Sequence, residues 1–175
     1  MKLQLRKRYP QILVATVLTV LGMQALAQGE RSDWHTLELT DARTGAVFTL
    51  AGFGDRTVFV ETMATWCVRC ARQLDNMAVA RTDLSEEEVV FVAVSVEGNL
   101  PPERLASYAE SRGFDWIFAV ATPELLTALV ETFGRTITNP PSTPHFLIYS
   151  DGTFTELATG IKQPEEIIAL VQDSL

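Results

Sequence analysis

Two cysteines, Cys67 and Cys70, are the whole cysteine content of this 175-residue chain, and they lie in Trp66-Cys67-Val68-Arg69-Cys70. Two thiols at this spacing, where an apolar run meets a helical pattern, form a reversible dithiol/disulfide switch. If residues 67 onward are helical, Cys67 sits near the helix N-terminus, where unpaired amides and the helix dipole favour a thiolate. Cys70 then lies one turn further in. Cys67 is therefore the expected attacking thiol and Cys70 the expected resolving thiol. A static disulfide is the weaker reading, because so short a loop constrains the unfolded chain little. A zinc site is weaker still, since four ligands are usual and the chain offers two Cys and two His, with His35 distant in sequence.

The elements that must hold this pair can be read from pattern. Leu37, Leu39, Val47, Phe48 and Leu50 flank the turn Asp41 to Gly45 and suggest an N-terminal β-hairpin. Val58 to Thr62 is a β-branched and aromatic strand that leads to the cysteines. From Cys67 to about Thr82, Leu74, Met77 and Ala78 recur at helical spacing. Val89 to Val96 is apolar nearly throughout, as a central strand covered on both faces should be. A helix from Pro101-Pro102 to Gly113, a strand at Trp116 to Val120 and a helix from Thr122 to Gly134 follow. The break Asn139 to Pro144 precedes an expected hairpin of Phe146 to Tyr149 with Thr153 to Ala158, and Pro164 to Val171 closes the chain as a helix. This order describes an α/β domain with a mixed central sheet and helices on both faces.

Residues 1–27 have a different character. Lys2, Arg6, Lys7 and Arg8 are followed by an uncharged apolar run, Gln11 to Leu26, and by Ala25-Leu26-Ala27. That is the order of a secretory signal peptide, and about 20 uncharged residues also suffice for a retained membrane anchor. Either outcome puts the domain outside the cytoplasm, in the periplasm or secreted. Residues 28–34 read as a linker and 35–175 as the domain. The segment carries four of the 14 basic and none of the 22 acidic residues, so its loss leaves ten basic residues and a net charge of −12. Nucleic acid and anionic lipid are poor partners for such a surface. Arg69 and Arg72 are the basic residues that cluster beside the cysteines.

With the strand running into Ala64-Thr65-Trp66-Cys67-Val68-Arg69-Cys70 and a proline before the late hairpin, residues 35–175 resemble the thioredoxin superfamily. They look most like the extracytoplasmic thiol-disulfide reductases of the TlpA, ResA and CcmG type, with a redoxin or AhpC/TSA-like domain. The resemblance implies a three-layer α/β/α sandwich and exchange of electrons with cysteine pairs of exported client proteins. It further implies a monomer kept reduced by a membrane thiol donor, with no bound cofactor or metal. By the same resemblance Thr143-Pro144 matches the family's cis-proline, whose backbone faces the dithiol and pairs with substrate. Glu61, six residues before Cys67, matches a buried carboxylate beneath the second cysteine, with a raised pKa suited to proton exchange. Trp66 would shape the substrate groove, and Arg69 would tune the Cys67 thiolate.

The chain departs from the family where Thr62-Met63 replaces a frequent Phe-Trp and where Val68-Arg69 replaces a proline-containing pair. Oxidase or isomerase activity on the same fold, and copper(I) delivery without catalysis, are the alternatives. Sco-type copper proteins share the fold but space their cysteines as C-x-x-x-C. Peroxiredoxins set a threonine where this chain has Ala64. His145 is expected at a strand edge.

Overall fold

In the computed structural model, which describes residues 34–174, the apolar run before the cysteines forms strand β3 (Thr57–Met63), buried along its whole length. It follows a short hairpin of β1 (Leu39–Thr40) and β2 (Val47–Phe48), paired antiparallel across a turn in which Gly45 takes φ +74°. Helix α1 (Val68–Ala80) comes next, then β4 (Val89–Ser95), α2 (Pro102–Ser111), β5 (Ile117–Val120), α3 (Pro123–Phe133), β6 (His145–Ile148) and α4 (Pro164–Gln172). The four long strands make one mixed sheet in the order β5-β4-β3-β6, with β3, β4 and β5 parallel and β6 antiparallel to β3.

Strand alternation divides the core into two layers. Phe59 and Met63 of β3 and Phe91 and Ala93 of β4 face one side, where Leu74 and Met77 of α1, Leu105 of α2 and Ile167 of α4 cover them. Val58, Val60, Val92 and Val94 face the other side, against Leu125 and Leu129 of α3. The result is the expected α/β/α sandwich. A sheet covered on both faces explains why β3 and β4 read as continuous apolar runs rather than as alternating patterns.

Local chemistry starts and stops the helices. The Thr122 hydroxyl accepts from Leu125 N (3.2 Å) to cap α3, and the Glu166 carboxylate accepts from Gln163 N (2.8 Å) at the start of α4. Pro102, Pro123 and Pro164 each occupy the first helical turn, where a missing N–H costs nothing. The hairpin is tied to the sheet by Ala42 N donating to Phe118 O (2.7 Å). The Asp41 carboxylate accepts from Phe118 N (3.3 Å) and from the Thr44 hydroxyl (2.6 Å).

Two segments differ from expectation. The strand Thr153 to Ala158 is reduced to two isolated bridges, His145 with Ala158 and Ile148 with Phe154. Two residues lie between the bridge positions on β6 and three on the returning chain, so one extra residue bulges out. There the Thr155 hydroxyl, rather than a backbone carbonyl, accepts from Leu147 N (3.0 Å). Trp34, the last residue of the expected linker, is 2 % exposed and packs edge-on against Phe133, Phe146 and Phe154 at 5.3 to 5.8 Å between ring centres. The expected signal or anchor, residues 1–27, lies outside the described residues. Among the described residues no helix is long and apolar enough to cross a membrane.

Replacing Trp34 by Ala should cost about 3 to 5 kcal/mol of stability, the range for emptying a buried aromatic site. Urea unfolding measures it, and a loss below about 1 kcal/mol would place Trp34 outside the cooperative core.

Candidate active site

At the carboxyl end of β3 the chain turns through Ala64-Thr65-Trp66, with Cys67 N donating to Ala64 O (3.0 Å), and enters α1. Glu97, just past the end of β4, holds this turn: its carboxylate accepts from Thr65 N (2.6 Å) and from the Thr65 hydroxyl (3.2 Å). Cys67 and Cys70 are joined as a disulfide. Cys67 is the N-cap residue of α1, with extended backbone, and its Sγ accepts from Cys70 N (3.1 Å). A sulfur in this position takes the place of the usual serine or aspartate oxygen, and the amide and helix dipole stabilise negative charge on it.

Cys70 has the opposite environment. Its side chain is buried beneath α1, with Sγ 3.1 Å from the carbonyl oxygen of Pro140. A carbonyl oxygen repels negative charge, so this neighbour makes the surroundings of Cys70 Sγ unlike those of Cys67 Sγ. The two sulfurs therefore have unequal surroundings, one beside an amide N–H and the other beside a carbonyl.

Glu61 lies in the middle of β3 with no exposed surface, and neither carboxylate oxygen has a hydrogen-bond partner among the described residues. Burial alone raises its pKa well above the ordinary 4.5. By alternation with Phe59 and Met63 it faces the α1 layer that contains Cys70.

Arg69 is exposed and its Nε donates to Pro141 O (2.7 Å), which fastens the first turn of α1 to the loop that carries Pro140. Trp66 is 63 % exposed beside Cys67, whereas Cys67 itself is 3 % exposed.

Thr143 and Pro144 lie in this loop but not as expected. The structure has no cis peptide bond among the described residues, so Pro144 is not a cis-proline; Thr143 turns the chain instead with φ 49°, ψ 61°. That left-handed conformation is uncommon for a β-branched residue. The Thr143 backbone is also committed internally, its N–H to Pro140 O (2.8 Å) and its carbonyl to His145 Nδ1 (2.9 Å), and Pro144 O accepts from Thr62 N (3.0 Å). Substrate pairing at Thr143 therefore requires these bonds to exchange.

His145 stands at the expected strand edge, as the first residue of the outer strand β6, yet it is buried. It is 2 % exposed, stacks on Phe59 with rings 5.6 Å apart, and pairs across the strands with Glu61. Burial lowers its pKa against the opposing effect of the Thr143 carbonyl, so the ring is neutral near pH 7 with its proton on Nδ1. Among the described residues no group of three or more His, Cys, Asp or Glu side chains is placed to hold a metal ion.

Pattern reading did not find Glu97 or the Pro140 carbonyl. A signal for Glu97 was present, since a polar residue at the carboxyl end of a central parallel strand stands at the end where α/β sheets build their sites. Nothing in sequence marks one carbonyl of a proline-rich loop as the neighbour of Cys70.

No protein-family model and no curated protein matches the chain. Solved structures do. A thiol:disulfide interchange protein of the thioredoxin family from Chlorobium tepidum TLS is 21 % identical, with TM-score 0.63, over 79 % of this chain and 92 % of that one. A secreted Mycobacterium tuberculosis disulfide oxidoreductase homologous to E. coli DsbE is 16 % identical, with TM-score 0.57, over 81 % and 98 %. BsSco, of the Sco family of cytochrome c oxidase assembly proteins, is 16 % identical, with TM-score 0.63, over 79 % and 90 %. At these identities the likeness is one of architecture. With β3 running into a Cys-x-x-Cys disulfide at the start of α1 and β6 antiparallel beside it, the chain has the thioredoxin-like fold.

Proposed function

We propose that this protein is a thiol-disulfide oxidoreductase acting on exported proteins through Cys67 and Cys70, in the direction of client reduction. The observation that carries the reading is the inequality of the two sulfurs: Cys67 Sγ capped by Cys70 N, and Cys70 Sγ against the Pro140 carbonyl. In the reduced protein the Cys67 thiolate attacks one sulfur of a client disulfide, forming a mixed disulfide and releasing a client thiolate. Cys70 then loses its proton and attacks Cys67 Sγ. This closes the Cys67–Cys70 disulfide and releases the second client sulfur, so two electrons pass to the client.

Glu61 suits the role of proton acceptor from Cys70. Its raised pKa brings its proton affinity toward that of a thiol, and it faces the same buried layer. Arg69 adds a positive charge in the first turn of α1, which favours the Cys67 thiolate. Trp66 supplies an exposed apolar wall beside Cys67, and the family resemblance assigns Thr143 and Pro144 to the loop that faces the client.

Export is supported by the order of charge, apolar run and small residues in 1–27, and by likeness to a secreted oxidoreductase. The reducing direction is supported by resemblance to the TlpA, ResA and CcmG type, with a membrane thiol donor to restore the dithiol. No observation favours copper(I) delivery over exchange.

Reduction of insulin disulfides tests the assignment. Cys67→Ser should abolish turnover and Cys70→Ser should accumulate mixed disulfides; turnover of Cys67→Ser equal to wild type would refute it. The reduction potential separates directions, with a value near about −270 mV expected for a reductase and one near about −120 mV for an oxidant.

Glu61→Gln should slow reduction by about tenfold, with the pH dependence of the rate flattened. It should also change stability in a definite sense. A carboxyl raised above 4.5 keeps its proton in the folded state while the unfolded chain loses it, so wild-type stability falls as pH rises from about 4.5 through the folded-state pKa. The advantage of Glu61→Gln over wild type in urea unfolding should therefore be larger at pH 8 than at pH 4, and a constant difference would count against the buried carboxyl.

A further inference from the structure

Two depressions flank Trp66 and share Thr65, Trp66 and Tyr108 as common walls. One, of about 350 Å³, contains Cys67 and extends to Arg72 on α1 and Arg112 at the end of α2. The other, of about 440 Å³, continues past Trp66 to Arg104. Each is at the lower end of the size range of ligand pockets, so the pair suits an extended peptide rather than a compact cofactor. Trp66 and Val68, 63 % and 81 % exposed, offer apolar surface at the centre.

The charge of this groove opposes that of the chain. The whole sequence carries −8, yet the groove walls contribute three arginines against one acid, Asp75. Glu97, hydrogen-bonded to Thr65, is a second acid close by, and the three arginines outnumber the two. The guanidinium groups of Arg72 and Arg104 have no side-chain partner among the described residues, unlike Arg81, which is paired with Glu86 and Asp115. Arg112 lies over the rings of Tyr108 and Phe114, 5.7 Å from each centre, with its charge still at the groove. Unpartnered cations beside a reactive sulfur on an acidic protein have a physical consequence. An acidic client meets a net repulsive protein and a locally attractive groove, which orients it toward Cys67.

Resting on the exchange reading above, we infer that the groove selects clients whose disulfide is flanked by acidic residues, with an apolar or aromatic client side chain laid on Trp66. Charge complementarity supplies the discrimination, and the exposed indole supplies the contact common to all clients.

The test uses the full chain, reduced, and two synthetic peptides with the same disulfide and the same central aromatic residue. One is flanked by glutamates and the other by lysines. At about 0.1 M salt the Debye length is about 10 Å, so the groove's own charges dominate over the distant surface. The glutamate peptide should be reduced about tenfold faster, as two or three partly exposed ion pairs allow. Arg72→Glu combined with Arg104→Glu should reverse the preference, whereas Arg56→Glu, at the far end of β3, should leave the ratio in place. The ratio is the readout, because a change in Cys67 reactivity affects both peptides alike. Equal rates in the wild type, a ratio unmoved by the double reversal, or an equal fall with Arg56→Glu would each overturn the inference while leaving exchange intact. Reduction of neither peptide would overturn the exchange reading and the groove assignment together.

Discussion

A helix must begin somewhere, and its first amides need an acceptor. In this protein the acceptor is Cys67 Sγ, which takes the Cys70 N–H where an oxygen would ordinarily cap. That one bond couples the redox state of the pair to the integrity of α1. A thiolate is a better acceptor than a disulfide sulfur, so the strength of the cap depends on the state of the pair. Much of the surrounding structure is arranged to keep the cap in place. Glu97 fixes the turn before it, and Leu74 and Met77 anchor the helix that follows.

The loop from Asn139 to Pro144 is the second support. It touches α1 twice, through Pro141 O to Arg69 and Pro140 O to Cys70, and it joins β6 through the His145 ring. Its internal bond from Thr143 N to Pro140 O makes these contacts one unit. The buried groups beneath, Glu61 and His145, lie opposite each other on β3 and β6, each with a side-chain atom lacking a partner among the described residues. Buried polar atoms without partners are costly, and the facing pair Glu61 and His145 contributes three of them to the interior.

Much of the architecture was legible as sequence because its signals are local. The period of α1, the apolar runs of β3 and β4, the prolines at helix starts and the turn around Gly45 each report on a few neighbouring residues. The chain returns antiparallel beside β6 as expected, but its bulge, where the Thr155 hydroxyl takes the Leu147 N–H, is not encoded by residue types alone. Trp34 was placed in the linker because its neighbours are polar, and only the aromatic residues of α3, β6 and the returning chain show why it is buried.

The cysteine pair at the start of a helix and the carboxyl buried in a central strand were both readable in sequence. Cys67 and Cys70 are close in the chain, and Glu61 falls inside a run that has to be a central strand. Tertiary structure decided what surrounds them. The carbonyl against Cys70 comes from 70 residues away, the carboxylate that holds the turn from 32 away, and the arginines of the groove from two separate helices. It also decided the backbone at Thr143, where a left-handed residue and a trans proline stand in place of the expected cis bond. The division follows from the physics: periodicity and capping act within a few residues, whereas the polarity around a sulfur is set by whichever distant groups the packed layers bring to it.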